Sequence, residues 1–199
     1  MKPSALQHIT VIYLLIILFS YLAIVAGKSW VYDENDLLEN LQALLLLLSS
    51  AAFLPALPRA GREQRVLLLA GTLFFLSLLL REVDVEKLGL SRLITLLGSG
   101  DGRNIILISL WLVVFAHMAM RYRWYVNTLR ALLFSRAGLF YVLGGLLLLG
   151  GEVLDALSRS YRFQEEMAEV IGNYLLFIAA LYTPQTLLEA SPAAHDTGP

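Results

Sequence analysis

The chain has 199 residues, of which 58% are hydrophobic and only 16% are charged, and its mean hydropathy is +0.68. Soluble domains are roughly a quarter charged, so this composition excludes an ordinary soluble domain and predicts an integral membrane protein. The net charge of −1 with no basic stripe argues against a nucleic-acid partner, and the absence of cysteine excludes disulfides, iron–sulfur clusters and thiolate metal sites.

Six apolar stretches predict an all-α fold, a single bundle of six transmembrane helices, because an open strand cannot satisfy its backbone in lipid. The first stretch is too long for a signal-peptide core and lacks a small-x-small cleavage site, so we expect an uncleaved helix. The third and fourth are shorter than the about 20 residues that a span requires. The predicted spans are about 9–27, 37–57, 66–81, 104–120, 138–155 and 167–188, in one domain (1–190) before a disordered tail (191–199).

The segment 85–97, between the third and fourth spans, is apolar but carries charges and is too short to cross a bilayer. Its apolar positions favour a short helix that lies in the outer membrane interface. The glycine-rich run 98–102 that follows ends this helix and leads into the fourth span.

Two basic connections predict the orientation. Segment 58–65 carries three arginines against one glutamate, and segment 121–136 carries four arginines and no acid. By the positive-inside rule both are cytoplasmic, which places both termini in the cytoplasm of a multi-pass protein of the cell (inner) membrane. Most of the 16 acids then face outward, namely Asp33, Glu34, Asp36, Glu39, Glu82, Asp84, Glu86, Asp101, Glu152, Asp155, Glu165, Glu166 and Glu169.

Nine polar residues near the outer ends of four spans are the candidate ligand-binding residues. Charges at the ends of apolar segments are costly and are usually paired or functional. Within the second and sixth spans they recur three or four residues apart, so they share a helical face. The set is Glu39, Gln42, Arg81, Glu82, Glu152, Asp155, Glu166, Glu169 and Asn173.

A simpler interpretation, as residues of a helix start, stays open for Glu39 and for Asp36 before it. Asp36 and Glu39 match a capping box at a helix start, where the helix dipole also favours acids. Glu152 follows about four apolar turns, and Gly150–Gly151 before it allow a neighbouring helix to come close. Asn173 lies a turn deeper than the acids of its helix and needs a hydrogen-bond partner there. These features favour an interior polar site over capping alone.

Carboxylate oxygens suit a hard divalent cation, and the candidate metal ligands are Glu39, Glu82, Glu152 and Glu169. Haem is not expected, because His117 is the single histidine within a span and a second axial histidine is lacking. The sequence has no P-loop or Rossmann pattern, so no nucleotide is expected either. Catalytic residues cannot be assigned from the sequence.

Three functions fit these observations. The leading hypothesis is a non-enzymatic protein whose outward-facing acidic cavity binds a cation or polar headgroup, in transport or as an accessory subunit. The first alternative is a membrane-embedded enzyme that acts on a lipid headgroup through paired carboxylates, with or without a metal. The second is a structural network of Arg–Glu ion pairs. The expected partners are the lipid bilayer and another membrane subunit or a second copy of the chain.

Overall fold

The computed structural model describes residues 5–22, 37–83, 85–88, 98–157 and 161–189, and this part of the chain contains helices but no strands. The all-α prediction is therefore confirmed for these residues. Two short 3₁₀ turns, Leu54–Arg59 and Val85–Leu88, accompany the α-helices. The α-helices are α1 (Ala5–Ser20), α2 (Leu37–Ala51), α3 (Arg62–Glu82), α4 (Gly100–Met120), α5 (Tyr122–Leu133), α6 (Arg136–Leu157) and α7 (Arg162–Glu189).

Within the described ranges, five helical segments are long and apolar enough to cross a membrane, which supports a membrane-embedded protein. They are Leu37–Arg59, Arg62–Glu82, Gly100–Met120, Arg136–Leu154 and Arg162–Glu189. The first predicted span is not among them, because its apolar helical part, Thr10–Ser20, is too short and residues 23–27 lie outside the described part. Of the predicted interfacial helix, residues 85–88 form a 3₁₀ turn and 89–97 lie outside the description. A sixth span and an interfacial helix remain predictions.

The third and fourth spans are longer than their apolar runs indicated. Helices α3 and α4 each have 21 residues, enough for about 30 Å at 1.5 Å per residue. Their first turns include polar residues that a hydropathy boundary leaves out. At α3 the side-chain Oε1 of Gln64 accepts a 2.8 Å hydrogen bond from the backbone N–H of Gly61, which satisfies a donor at the helix start. Flanking polar residues therefore bring both helices to span length, and the predicted span bounds stay predictions.

The basic connection 121–136 contains the helix α5. Tyr125 and Thr128 are buried, and Leu129 and Leu132 lie on the same face at helical spacing. Arg123 and Arg130, the two arginines of α5, fall on the opposite face. Because arginines interrupt the apolar positions, this segment was predicted only as a loop.

Helix α7 lies at the centre of the bundle. It packs against α6, α2, α3 and α5. In its most apolar stretch 61% of the residues are buried, whereas none are buried in the corresponding stretch of α4. Its most extensive contact is with α6. A Cβ atom on Gly144 of α6 would lie 2.9 Å from the carbonyl oxygen of Gly172 on α7, so the two backbones touch there.

Two hydrophobic clusters hold the helices together. In the smaller one, Phe19 of α1 packs against Leu38 of α2 and against Met167 and Val170 of α7. The larger one centres on Phe53 and Phe75, whose rings stack with centroids 5.9 Å apart. Its other buried members are Leu46, Ala56, Ala60, Leu67, Leu68, Tyr125, Leu176, Ala180 and Leu187. Both clusters include residues of α7, which explains its central position.

Replacing Tyr125 with phenylalanine should leave stability unchanged or raise it slightly. The Tyr125 hydroxyl is buried without a hydrogen-bond partner in the described structure, and burial, with Glu63 nearby, raises its pKa and keeps it neutral. An unsatisfied buried hydroxyl costs free energy, so its removal costs nothing. The matched control is Tyr141→Phe, which removes the acceptor of a 3.1 Å hydrogen bond from Thr183 and should cost about 1 kcal/mol. Thermal unfolding in detergent compares the two variants. A larger loss of stability for Tyr125→Phe than for Tyr141→Phe would mean that the Tyr125 hydroxyl does have a hydrogen-bond partner.

Candidate functional site

Helices α2, α3, α6 and α7 enclose a cavity of about 130 Å³. At about 30 Å³ of liquid volume per water, it has room for a few waters or one small polar group. Six of the nine candidate ligand-binding residues line it. The lining consists of Gln42, Leu46, Leu78, Arg81, Glu82, Leu148, Leu149, Glu152, Glu169 and Asn173.

The cavity has a charged rim and an apolar floor. Leu78 and Leu148 each lie one helical turn before a rim carboxylate, Glu82 and Glu152 respectively, and Leu46 lies one turn after Gln42. In each pair the leucine is further from the predicted outer end of its helix. Sequence reasoning missed these leucines, because an apolar residue in an apolar span carries no signal. The spacing of four from each polar candidate could have identified them.

Arg81 bridges two helices at the rim. Its Nε is 3.1 Å from Oε1 of Glu82 on the same helix, and its Nη2 is 3.3 Å from Oε1 of Glu152 on α6. The side chains of Arg81 and Glu152 are each more than half exposed. Exposed ion pairs contribute about 0–1 kcal/mol in water, so this bridge can open at little cost.

A hydrogen-bonded pair between α2 and α7 supports the inner wall of the cavity. The Nε2 of Gln42 donates a 2.9 Å hydrogen bond to Oε2 of Glu166, and both residues are almost completely buried. The Gln42 amide also interacts with the carboxylate of Glu169. Gln42 therefore links Glu169, which lines the cavity, to Glu166, which lies behind the cavity wall. Asn173, which is also buried, lies one turn beyond Glu169 on the same wall.

Glycine 151 determines how closely Glu169 approaches α6. A Cβ atom at this position would lie 3.0 Å from Cγ of Glu169, tighter than most such contacts. Gly150, its neighbour in the predicted glycine pair, has open space where a Cβ would be. Only one of the two glycines thus serves the close helix contact that the sequence indicated.

Among the described side chains, the structure leaves Glu39 and Glu166 off the cavity wall. Glu39 is partly buried on α2, near enough to Glu166 for the two carboxylates to repel, but it does not line the cavity. Asp155 belongs to α6, and its side chain lies outside the description. Because α7 begins at Arg162, Glu169 is two turns inside the helix, beyond the first turn in which the helix dipole favours acids.

The metal prediction receives no support from the geometry. Among the residues that the structure describes, no three histidine, aspartate or glutamate side chains are arranged to hold a metal ion. Glu39 does not line the cavity that the other three proposed ligands share, and Glu152 is already paired with Arg81. Divalent cation binding therefore stays a prediction from residue type alone.

Comparison with known proteins gives no relative from which a function could be taken. No family model, no curated protein and no solved structure matches the chain.

Proposed function

We propose that the protein is a membrane protein that binds a small cationic group in this polar cavity, which faces outward in the predicted orientation. In this proposal it acts in transport or as an accessory subunit. One observation carries the proposal. Three helices each contribute a carboxylate to the cavity, Glu82, Glu152 and Glu169, whereas its described lining has a single guanidinium, that of Arg81. With three carboxylates and one guanidinium, the formal charge of the described lining is therefore −2.

The lining favours an ammonium group with N–H donors over a quaternary ammonium. Carboxylates and the side-chain carbonyls of Gln42 and Asn173 accept hydrogen bonds, so they match a donor-rich cation. Quaternary ammonium groups are bound by aromatic cages, and the cavity's described lining contains no aromatic ring. A primary amine, free or as part of a zwitterionic lipid headgroup, fits this chemistry.

Arg81 is suited to give way to such a ligand. It already places a cation between carboxylates of α3 and α6, and its exposure keeps both ion pairs weak. An incoming ammonium would take over interactions with Glu82 and Glu152 while the guanidinium turns toward the exposed side. The leucine floor closes the cavity on its deep side, so transport would also require these leucines to separate.

The bridge made by Arg81 also favours a second candidate, a structural ion-pair network that joins α3 to α6. The lipid-headgroup enzyme remains a prediction from the sequence.

Ethylammonium should raise the thermal stability of the detergent-purified protein in a saturable way, and Glu169→Gln should abolish this rise. A ligand that binds only the folded state stabilises by about 2.7 kcal/mol at 100 times its Kd. The matched control is Asp101→Asn, which removes an exposed carboxylate outside the cavity lining and should keep the response. Tetramethylammonium should give a much smaller rise.

Arg81→Gln separates the two candidates. If the cavity binds cations, this variant keeps its stability within about 1 kcal/mol, as expected for exposed pairs, and binds ethylammonium more tightly. If the network is purely structural, the variant loses stability and no cation has an effect on either protein. The binding proposal fails if ethylammonium stabilises the original chain and Glu169→Gln equally.

A further inference from the structure

A second cavity of about 380 Å³, larger than the polar one, lies among α3, α4, α5, α6 and α7. Its walls include Ala70 and Phe74 of α3, Trp111 and Phe115 of α4, and Leu129 and Leu132 of α5. Its volume is in the range of about 300–1,000 Å³ that is usual for ligand pockets, which are mostly lined by apolar and aromatic side chains. Its ligand must therefore be largely apolar.

The cavity opens at the perimeter of the bundle. Phe74, Phe115 and Leu129 line it and are 41%, 57% and 41% exposed, so its mouth lies on the outer surface of α3, α4 and α5. Helix α4 forms one side of this mouth, and no residue of α4 is buried. In a membrane, a mouth between spanning helices faces lipid. The molecules with direct access to it are bilayer lipids.

Two arginines belong to α5, the helix that contributes Leu129 to the mouth. On α5, Arg130 directly follows the lining residue Leu129 and is exposed. By helical spacing, exposed Val126 and Leu133 form an apolar strip between the buried face of α5 and Arg130. The other nearby arginine, Arg123, already donates a 3.0 Å hydrogen bond to the Tyr122 hydroxyl. Because each residue turns the helix by about 100°, Arg130 lies on the exposed side of α5 at the far edge of this strip, and its long side chain must reach across the strip to the mouth.

The sign of the charge identifies the headgroup. Segment 121–136 carries four arginines and no acid; Arg121 is paired with Glu63 of α3 at 3.3 Å, so three arginines give the segment its excess positive charge. Basic sites between helices bind anionic lipid headgroups. A neutral lipid would gain binding free energy from the apolar cavity alone. An anionic lipid would gain it from the cavity and also from the arginines.

We propose that the protein binds a bilayer phospholipid with an anionic headgroup at this site, with an acyl chain in the apolar cavity and the phosphate beside Arg130. This site is separate from the polar cavity in lining residues and in ligand. It does not depend on the proposed cation binding.

Trp111 provides a direct test, because its ring lines the cavity. The full-length variant Trp30→Phe/Trp124→Phe retains Trp111 as its single tryptophan. Phosphatidylglycerol with brominated acyl chains is titrated into this protein in detergent, and quenching of Trp111 fluorescence is recorded. We expect saturable quenching at about one lipid per chain, and an apparent affinity at least five-fold weaker for brominated phosphatidylcholine.

Two substitutions probe the two parts of the site. Ala70→Phe fills the cavity and should weaken the binding of both lipids at least ten-fold. Arg130→Gln should remove most of the preference for phosphatidylglycerol. Its matched control, Arg59→Gln, removes an exposed arginine outside the cavity lining and should keep that preference. If Ala70→Phe does not fold, Leu132→Phe fills the cavity from the opposite wall.

Three outcomes would overturn the proposal. One is quenching that does not saturate and is insensitive to both cavity-filling variants. Another is equal affinity for the two lipids in the original chain. The third is absence of quenching together with a dimer, measured by analytical ultracentrifugation, that Ala70→Phe dissociates. That result would assign the cavity to a second copy of the chain.

Discussion

Replacing Gly144 with alanine should lower the thermal stability of the protein, whereas the same replacement at Gly145 should leave it unchanged or raise it slightly. A Cβ at Gly144 would lie 2.9 Å from the backbone carbonyl of Gly172, which cannot rotate away as a side chain could. A Cβ at Gly145 would have open space around it. Overpacking of this kind costs about 1–3 kcal/mol. An unhindered Gly-to-Ala change in a helix gains about 0.5–1 kcal/mol.

Thermal unfolding of the two variants in the same detergent is the measurement. Gly145→Ala is the control for solubilisation and helix propensity, since it is the adjacent residue on the same helix. Gly172→Ala, on the facing helix, should also destabilise, and the double variant with Gly144→Ala should lose less than the sum because both changes act on one contact. Equal responses at Gly144 and Gly145 would show that α6 and α7 do not touch at this point.

Replacing Gln42 with leucine should destabilise the protein by about 1–3 kcal/mol, because it leaves the carboxyl group of Glu166 buried without its amide donor. The 2.9 Å bond joins residues that are 1% and 6% exposed, so little water can replace the lost donor. Glu166→Leu alone should also cost stability, since it leaves one N–H of the Gln42 amide without its acceptor. The double variant should recover part of the loss, as the exchange of both partners for apolar groups is often nearly neutral.

A double-mutant cycle on thermal stability tests this pair. The control is Gln185→Leu, an exposed glutamine on α7, which should change stability by no more than about 0.5 kcal/mol. Strict additivity of Gln42→Leu and Glu166→Leu would mean that the two side chains do not interact. The cycle also measures how firmly α2 is attached to α7 behind the cavity.

The all-helical, membrane-embedded character of the chain could be predicted from its sequence, because apolar runs of span length have few alternatives in lipid. Helix ends were predicted less well. An apolar run ends at the first charged residue, whereas α3 already begins at Arg62, before Glu63, and α4 begins at Gly100. Helix α5 was missed for a related reason, since arginines of its opposite face interrupt the apolar residues along the sequence.

The sequence by itself also determined which polar residues share a helical face, because the period of 3.6 residues places Gln42 on the face of Glu39 and Asn173 on that of Glu166 and Glu169. Only the tertiary structure decided how these faces are used. The rotation of α7, constrained where Gly144 and Gly172 touch, places Glu169 on the cavity wall and Glu166 behind it against Gln42. Helical periodicity is a local property of one segment, whereas the choice between neighbouring carboxylates depends on contacts between segments more than a hundred residues apart in the chain.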